Sequence, residues 1–165
     1  MKPFRVGIID GGIDSAAEII SPVVYRKSFA GKVSGYHGTM VAKIIGENPK
    51  IHLYDIQILQ DGKGSLTSLK RALHLAIDLN LDLINLSLSG PSDVKELVSR
   101  ILNPRKIIVI SCFNKLPPIL LRYAESNLPS SITFKGRSWQ VTGESFLVAN
   151  VSRVLCLFKV NNTGY

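Results

Sequence analysis

Cysteine is scarce in this sequence of 165 residues: there are two, Cys112 and Cys156, both in apolar surroundings and at no metal-ligand spacing. That excludes a disulfide framework or a zinc module and predicts two buried free thiols without a chemical role. Long apolar runs are also missing. No stretch approaches the roughly 20 residues of a membrane span. The opening Met1 to Asp10 passes directly into a strand pattern, with neither the apolar segment nor the small-residue cleavage site of a signal peptide. A cytoplasmic protein with no membrane partner is therefore expected. Phosphate-binding spacings are absent too. The first strand and Asp10-Gly11-Gly12 superficially permit a nucleotide-binding module, but the sequence has no G-x-G-x-x-G and no P-loop lysine. Acidic residues are outnumbered 12 to 20, which leaves a formal charge of +8 and raises nucleic acid, an acidic membrane surface or an acidic peptide as partners. The basic residues are scattered, and the groupings Arg100 to Lys106 and Lys135 to Arg137 are too short and too poor in aromatics for a nucleic-acid platform. A solvated basic surface and no nucleic-acid partner are expected.

What is present suits one packed domain over residues 1–165, since hydrophobic residues make up 45% and charged residues 19%. Apolar strands alternate with amphipathic helices, which predicts an α/β fold: a three-layer open parallel sheet with helices on both faces. Strands are read at Arg5 to Ile9, Ile51 to Leu59, Leu83 to Leu88 and Lys106 to Ser111. Ser65 to Leu79 places Leu66, Leu69, Leu73, Ala76 and Ile77 on one stripe, with Ser65 as N-cap. A second helix has Ser92 as cap, carries Val94, Leu97, Val98, Ile101 and Leu102, and ends at Pro104. A shorter helix begins near His37. Phe146 to Phe158 is apolar nearly all round and reads as a central buried helix that Ser145 opens. Between Lys115 and Thr142 three prolines interrupt the pattern, and only Ile132 to Phe134 and Trp139 to Val141 suggest strands.

Three residues fall where an open α/β sheet places its chemistry, at carboxyl ends of strands and amino ends of helices: Asp10, His37 and Ser145. Singly, each has a plain structural reading: a turn aspartate before glycines, a half-exposed polar residue, a helix cap. Together they stand in the order Asp, His, Ser. In their surroundings the sequence resembles the subtilisin-like serine peptidases, or subtilases. Val6 to Asp14 resembles the family's aspartate motif, with Gly12 in place of threonine. His37-Gly38-Thr39-Met40-Val41-Ala42 resembles its histidine motif, with Met40 in place of a second histidine. Asn85 to Gly90 resembles the segment that holds extended substrate, Ser111-Cys112-Phe113-Asn114 the stretch leading to an oxyanion asparagine, and Gly143 to Ala149 the serine motif, where Glu144, Phe146 and Ala149 replace threonine, methionine and proline.

The resemblance implies a serine endopeptidase without a cofactor. Ser145 is its nucleophile, His37 the general base, Asp10 the orienting carboxylate and Asn114 the oxyanion donor. It further implies substrate contacts at Ser87, Leu88, Ser89, Gly90, Cys112 and Phe113. Phe113 replaces a glycine and should shorten the pocket for the residue before the cut, favouring small side chains there. Only 31 positions separate Asn114 from Ser145, so a trimmed domain without the family's usual calcium loops is expected; no propeptide is read in the sequence, which implies a chain that either folds unaided or is already processed. The expected partner is a peptide or protein substrate, in particular an acidic precursor from which a leader is removed. The competing class is an inactive subtilase-like protein that binds an extended peptide by β-augmentation.

Overall fold

The computed structural model describes residues 2–32, 36–103, 105–113 and 118–162. Along the chain run β1 (Phe4–Asp10), β2 (Val23–Ser28), α1 (His37–Ile45), β3 (Ile51–Gln57), α2 (Leu66–Asp78), β4 (Leu83–Leu86), α3 (Ser92–Leu102), β5 (Ile108–Ser111), α4 (Pro118–Ser126), β6 (Ser131–Phe134), β7 (Arg137–Gln140) and α5 (Glu144–Asn162).

Five strands pair in the order β2-β3-β1-β4-β5, every pair parallel. Strands buried on both faces need apolar side chains at successive positions, and β1 supplies them: Val6 and Ile8 face one layer while Ile9 faces the other, all fully buried. Helices α1 and α5 cover the first face against Val6, Ile8, Leu53 and Leu83; α2 and α3 cover the second against Ile9, Ile56, Ile84 and Leu86. The three-layer expectation holds. Because the chain passes to β3 on one side of β1 and to β4 on the other, the strand order reverses at β1, where a crevice opens beyond the carboxyl ends.

Local signals hold at several places. Ser65 is extended, and its hydroxyl accepts the Ser68 amide at 3.0 Å, a cap worth about 1 kcal/mol. Ser92 does not cap α3. Pro91, at φ −63° and ψ 167°, occupies that position, and its carbonyl accepts the Val94 amide at 3.0 Å, so Ser92 becomes the first helical residue. Strand ends differ as well: Ile58 and Leu59 leave the ladder and donate to the carbonyl of Asp10, and Ser87 turns out of the sheet after Leu86. Helix α5 is apolar but not buried all round, with Phe158 61% exposed, because only one stripe reaches the sheet and its flanking helices.

Two elements lie outside the sequence reading. Strand β2 is an edge strand whose Arg26, Lys27 and Ser28 look like loop; edge strands carry such charges to block further pairing. Helix α4 opens on Pro118, which its first turn tolerates because an N–H at that position would have no partner within the helix. Strands β6 and β7 form an antiparallel hairpin across Lys135 (φ 49°) and Gly136 (φ 69°).

Candidate active site

Asp10 ends β1 at the crevice, 1% exposed, and its Oδ1 accepts the Gly11 amide at 2.6 Å. The chain then turns through Gly12 at φ 93°, a left-handed conformation that favours glycine. Helix α1 begins against this turn. A Cβ on Gly38 would lie 2.6 Å from the Gly12 carbonyl oxygen, so the residue after His37 has no room for a side chain. That approach brings the His37 ring to the carboxylate, with Nδ1 2.9 Å from Asp10 Oδ2 and 3.0 Å from Oδ1. The Asp10 hydrogen bond lifts the imidazole above the usual histidine range, partial burial opposes it, and the carboxylate charge adds to the lift. Nδ1 carries the proton toward Asp10, which leaves Nε2 as the acceptor.

The loop behind Asp10 is held from three sides. The Ile13 amide donates to Asp55 Oδ2 at 3.1 Å, Arg26 Nη1 reaches Asp55 Oδ2 at 2.8 Å and the Ile13 carbonyl at 2.6 Å, and the Asp14 amide donates to Thr39 Oγ1 at 2.8 Å. Burial pushes the Asp55 carboxyl up, against the pull of the Ile13 amide and Arg26. Asp55 sits mid-strand in β3, where an apolar residue would be the ordinary choice, and that anomaly is the signal that could have marked it.

Ser145 is the second residue of α5, following Gly143 at φ 96°. Its carbonyl accepts the Ser87 hydroxyl at 2.9 Å, and its hydroxyl lies beside the Cys112 thiol. Burial pushes that thiol up; the Ser145 contact opposes, and the negative charges of Glu144 and Asp10 add to the rise. Behind Ser145, Ser87 lies 2.7 Å from Asn85 Oδ1, Asn85 Nδ2 donates to Ser152 at 2.9 Å, and Ser152 donates to the Val148 carbonyl at 3.0 Å. These buried contacts tie the end of β4 to α5. The next residue, Phe146, lies against His37 with ring centroids 5.3 Å apart and planes 32° apart. Among the described residues no hydrogen bond joins His37 to Ser145.

The crevice thus gathers Asp10, His37, Ser145, Ser87 and Cys112. Asn114 falls outside the described residues. Leu88, Ser89 and Gly90 line a cleft of about 190 Å³ together with Leu59, Gly64 and Leu66. Phe113 and Leu88 each pack against the α2/α3 layer, whereas Cys112 packs against the α1/α5 layer. Glu144 is exposed in the first turn of α5. Cys112 and Cys156 are free thiols, and no described helix is long and apolar enough to cross a membrane.

A parallel α/β sheet that presents a histidine-aspartate pair and a helix-borne serine at its switch point belongs to the class of folds that support acyl transfer at a serine. No protein-family model matches the chain. It is 34% identical over 110 residues to a minor extracellular protease of Bacillus subtilis, a match covering 57% of this chain and 17% of that protein. It is 29% identical over 127 residues to the major intracellular serine protease of the same organism, covering 64% of this chain and 40% of that protein. Among solved structures, a cold-adapted subtilisin-like serine proteinase superposes with a TM-score of 0.67 at 16% identity over 97% of this chain and 76% of that one. The nisin leader peptidase of Lactococcus lactis gives 0.52 at 21% identity over 67% of this chain and 43% of that one. In sequence the chain is similar to subtilisin-like serine proteases, and it shares their fold. It spans less than half the length of these two sequence relatives.

Proposed function

We propose that the chain is a serine endopeptidase with Ser145 as nucleophile, His37 as general base and Asp10 as orienting carboxylate. The observation that carries this reading is the contact of His37 Nδ1 with the buried Asp10 carboxylate, which leaves Nε2 to accept a proton. Ser145 Oγ attacks the peptide carbonyl carbon as its proton passes to Nε2. The C–N bond then breaks, the departing amine takes that proton, and water hydrolyses the acyl-enzyme by the same route. The Ser145 amide and the Asn114 side chain bind the oxyanion, and the amino end of α5 contributes its partial positive charge.

An extended substrate is held along Ser87 to Gly90, with Cys112 and Phe113 beside the residue before the cut. The substrate is an intracellular precursor peptide with an acidic segment. Two observations support this: a +8 charge and a structural relative that is a leader peptidase. Exchanging Glu for Gln in a model substrate should raise KM and flatten its dependence on salt; an unchanged KM would remove the acidic preference.

Peptide binding without cleavage is the second reading, favoured by a Ser145 hydroxyl that lies beside Cys112 and, among the described residues, makes no hydrogen bond to His37. Labelling with a fluorophosphonate decides between the two. The wild type should label and Ser145→Ala should not, whereas a folded wild type that stays unlabelled favours the binding protein.

A further inference from the structure

We infer that Phe146 is a positioning residue for His37: its ring fixes the plane of the imidazole and stabilises the imidazolium that forms when His37 takes the Ser145 proton. The inference rests on the reading of His37 as the general base. The His37 side chain is 42% exposed, and among the described residues its polar anchor is at Nδ1, where Asp10 holds it. A ring held at one atom can still pivot about that contact and swing Nε2 away from the nucleophile. The Phe146 ring lies on the imidazole at a centroid distance of 5.3 Å, within the range of offset-stacked pairs, and blocks that movement from one side.

The register comes from α5. Ser145 and Phe146 are consecutive on this helix, so their side chains diverge by about 100°. That divergence sends the hydroxyl toward Cys112 and the ring toward His37. The Asn85–Ser152 bond and the Ser87 contact with the Ser145 carbonyl hold the helix to β4, so nucleophile and ring are delivered together.

The chemistry of the ring adds a second effect. The face of a phenyl ring is negative and attracts a cation more than a neutral ring. The contact therefore strengthens as the proton arrives, which is the condition for an interaction to favour the transition state over the ground state. The charged group that acts on His37 is Asp10 on β1; the other charged and titratable groups of the site come from four further elements, Asp55 on β3 with its partner Arg26 on β2, Cys112 after β5, and Glu144 at the start of α5. Tyr36, which precedes His37, turns its ring to Phe134 and Trp139. None of these changes when Phe146 is replaced by leucine, which keeps the apolar cover and removes the π face.

The sequence has three histidines, so the His37 ring can be followed individually by NMR. The titration is run on the full chain carrying Ser145→Ala, which prevents self-cleavage. Phe146→Leu should lower the His37 pKa by about half a pH unit, and Phe146→Tyr should leave it near the starting value. In the chain with Ser145 intact, Phe146→Leu should lower kcat three- to tenfold with KM changed less than twofold, move the acid limb of kcat/KM to lower pH, and be rescued by Phe146→Tyr. A His37 titration unchanged in Phe146→Leu overturns the inference. So does a loss of kcat that tyrosine fails to rescue, since that marks ordinary packing. If the wild type proves inactive, the peptidase reading falls while the titration still decides the ring contact.

Discussion

Replacing Asp10 by asparagine changes one atom of a buried side chain, and the surrounding geometry dictates the consequence. Oδ1 accepts the Gly11 amide at 2.6 Å, so the amide oxygen of the new residue must occupy that position and its NH2 must take the place of Oδ2. That NH2 then points at His37 Nδ1 across 2.9 Å. A donor there forces Nδ1 to become an acceptor and moves the imidazole proton to Nε2, the nitrogen that must receive the proton of Ser145. Only the unfavourable tautomer remains catalytic, and a loss of about 10⁴-fold in kcat is expected. The lost carboxylate also removes the cause that lifts the histidine, so the acid limb of the residual activity moves to lower pH. Stability follows with its own sign. A histidine raised on folding contributes stability that is fully present below its unfolded pKa of about 6.5 and is lost as pH rises through the folded value. Asp10→Asn should flatten the stability profile within that window. Fluorophosphonate labelling rates across pH 5–9, with urea midpoints at the same points, measure both effects. A labelling rate within tenfold of the wild type, with the variant folded, would refute the assignment of Asp10.

Three further outcomes are expected. Gly38→Ala places a methyl group 2.6 Å from the Gly12 carbonyl, where backbone meets backbone, and should cost about 1–3 kcal/mol while drawing His37 off Asp10; an unchanged melting temperature and kcat would show that the turn yields freely. Ser152→Ala leaves the fully buried Asn85 Nδ2 without its acceptor and should cost about 1–3 kcal/mol, read as a lower urea midpoint at constant m value; no shift would mean the amide finds another partner. Cys112 should react slowly with a maleimide at neutral pH because burial keeps its thiol protonated, while Cys156, pushed up to about 12, should resist until the protein unfolds. The Cys112 adduct should block labelling of Ser145 and Cys112→Ser should escape the block; full alkylation with undiminished labelling would contradict the contact between thiol and serine.

By itself the sequence determined what short-range patterns encode. Apolar runs flanked by turns located four strands of the main sheet, helical periodicity and an N-cap serine located α2, and the Asp, His, Ser order with its motifs pointed to the family. The edge strand β2 escaped, since half of it faces solvent and carries charge; α4 escaped because its prolines read as breaks. Tertiary structure alone decided the rest. Asp10 and His37 are 27 positions apart, and their contact depends on the close passage of Gly38 over Gly12, which no local pattern records. Phe146 looks like one more apolar residue of a buried helix until α5 docks and turns it onto His37. Asp55 and Ser152 gain their roles in the same way, from the pairing of β3 with β1 and the packing of α5 on β4. Periodicity states which face of an element is buried; which atoms meet across that face is set by how the elements pack, a relation between distant segments that exists only once the chain has folded.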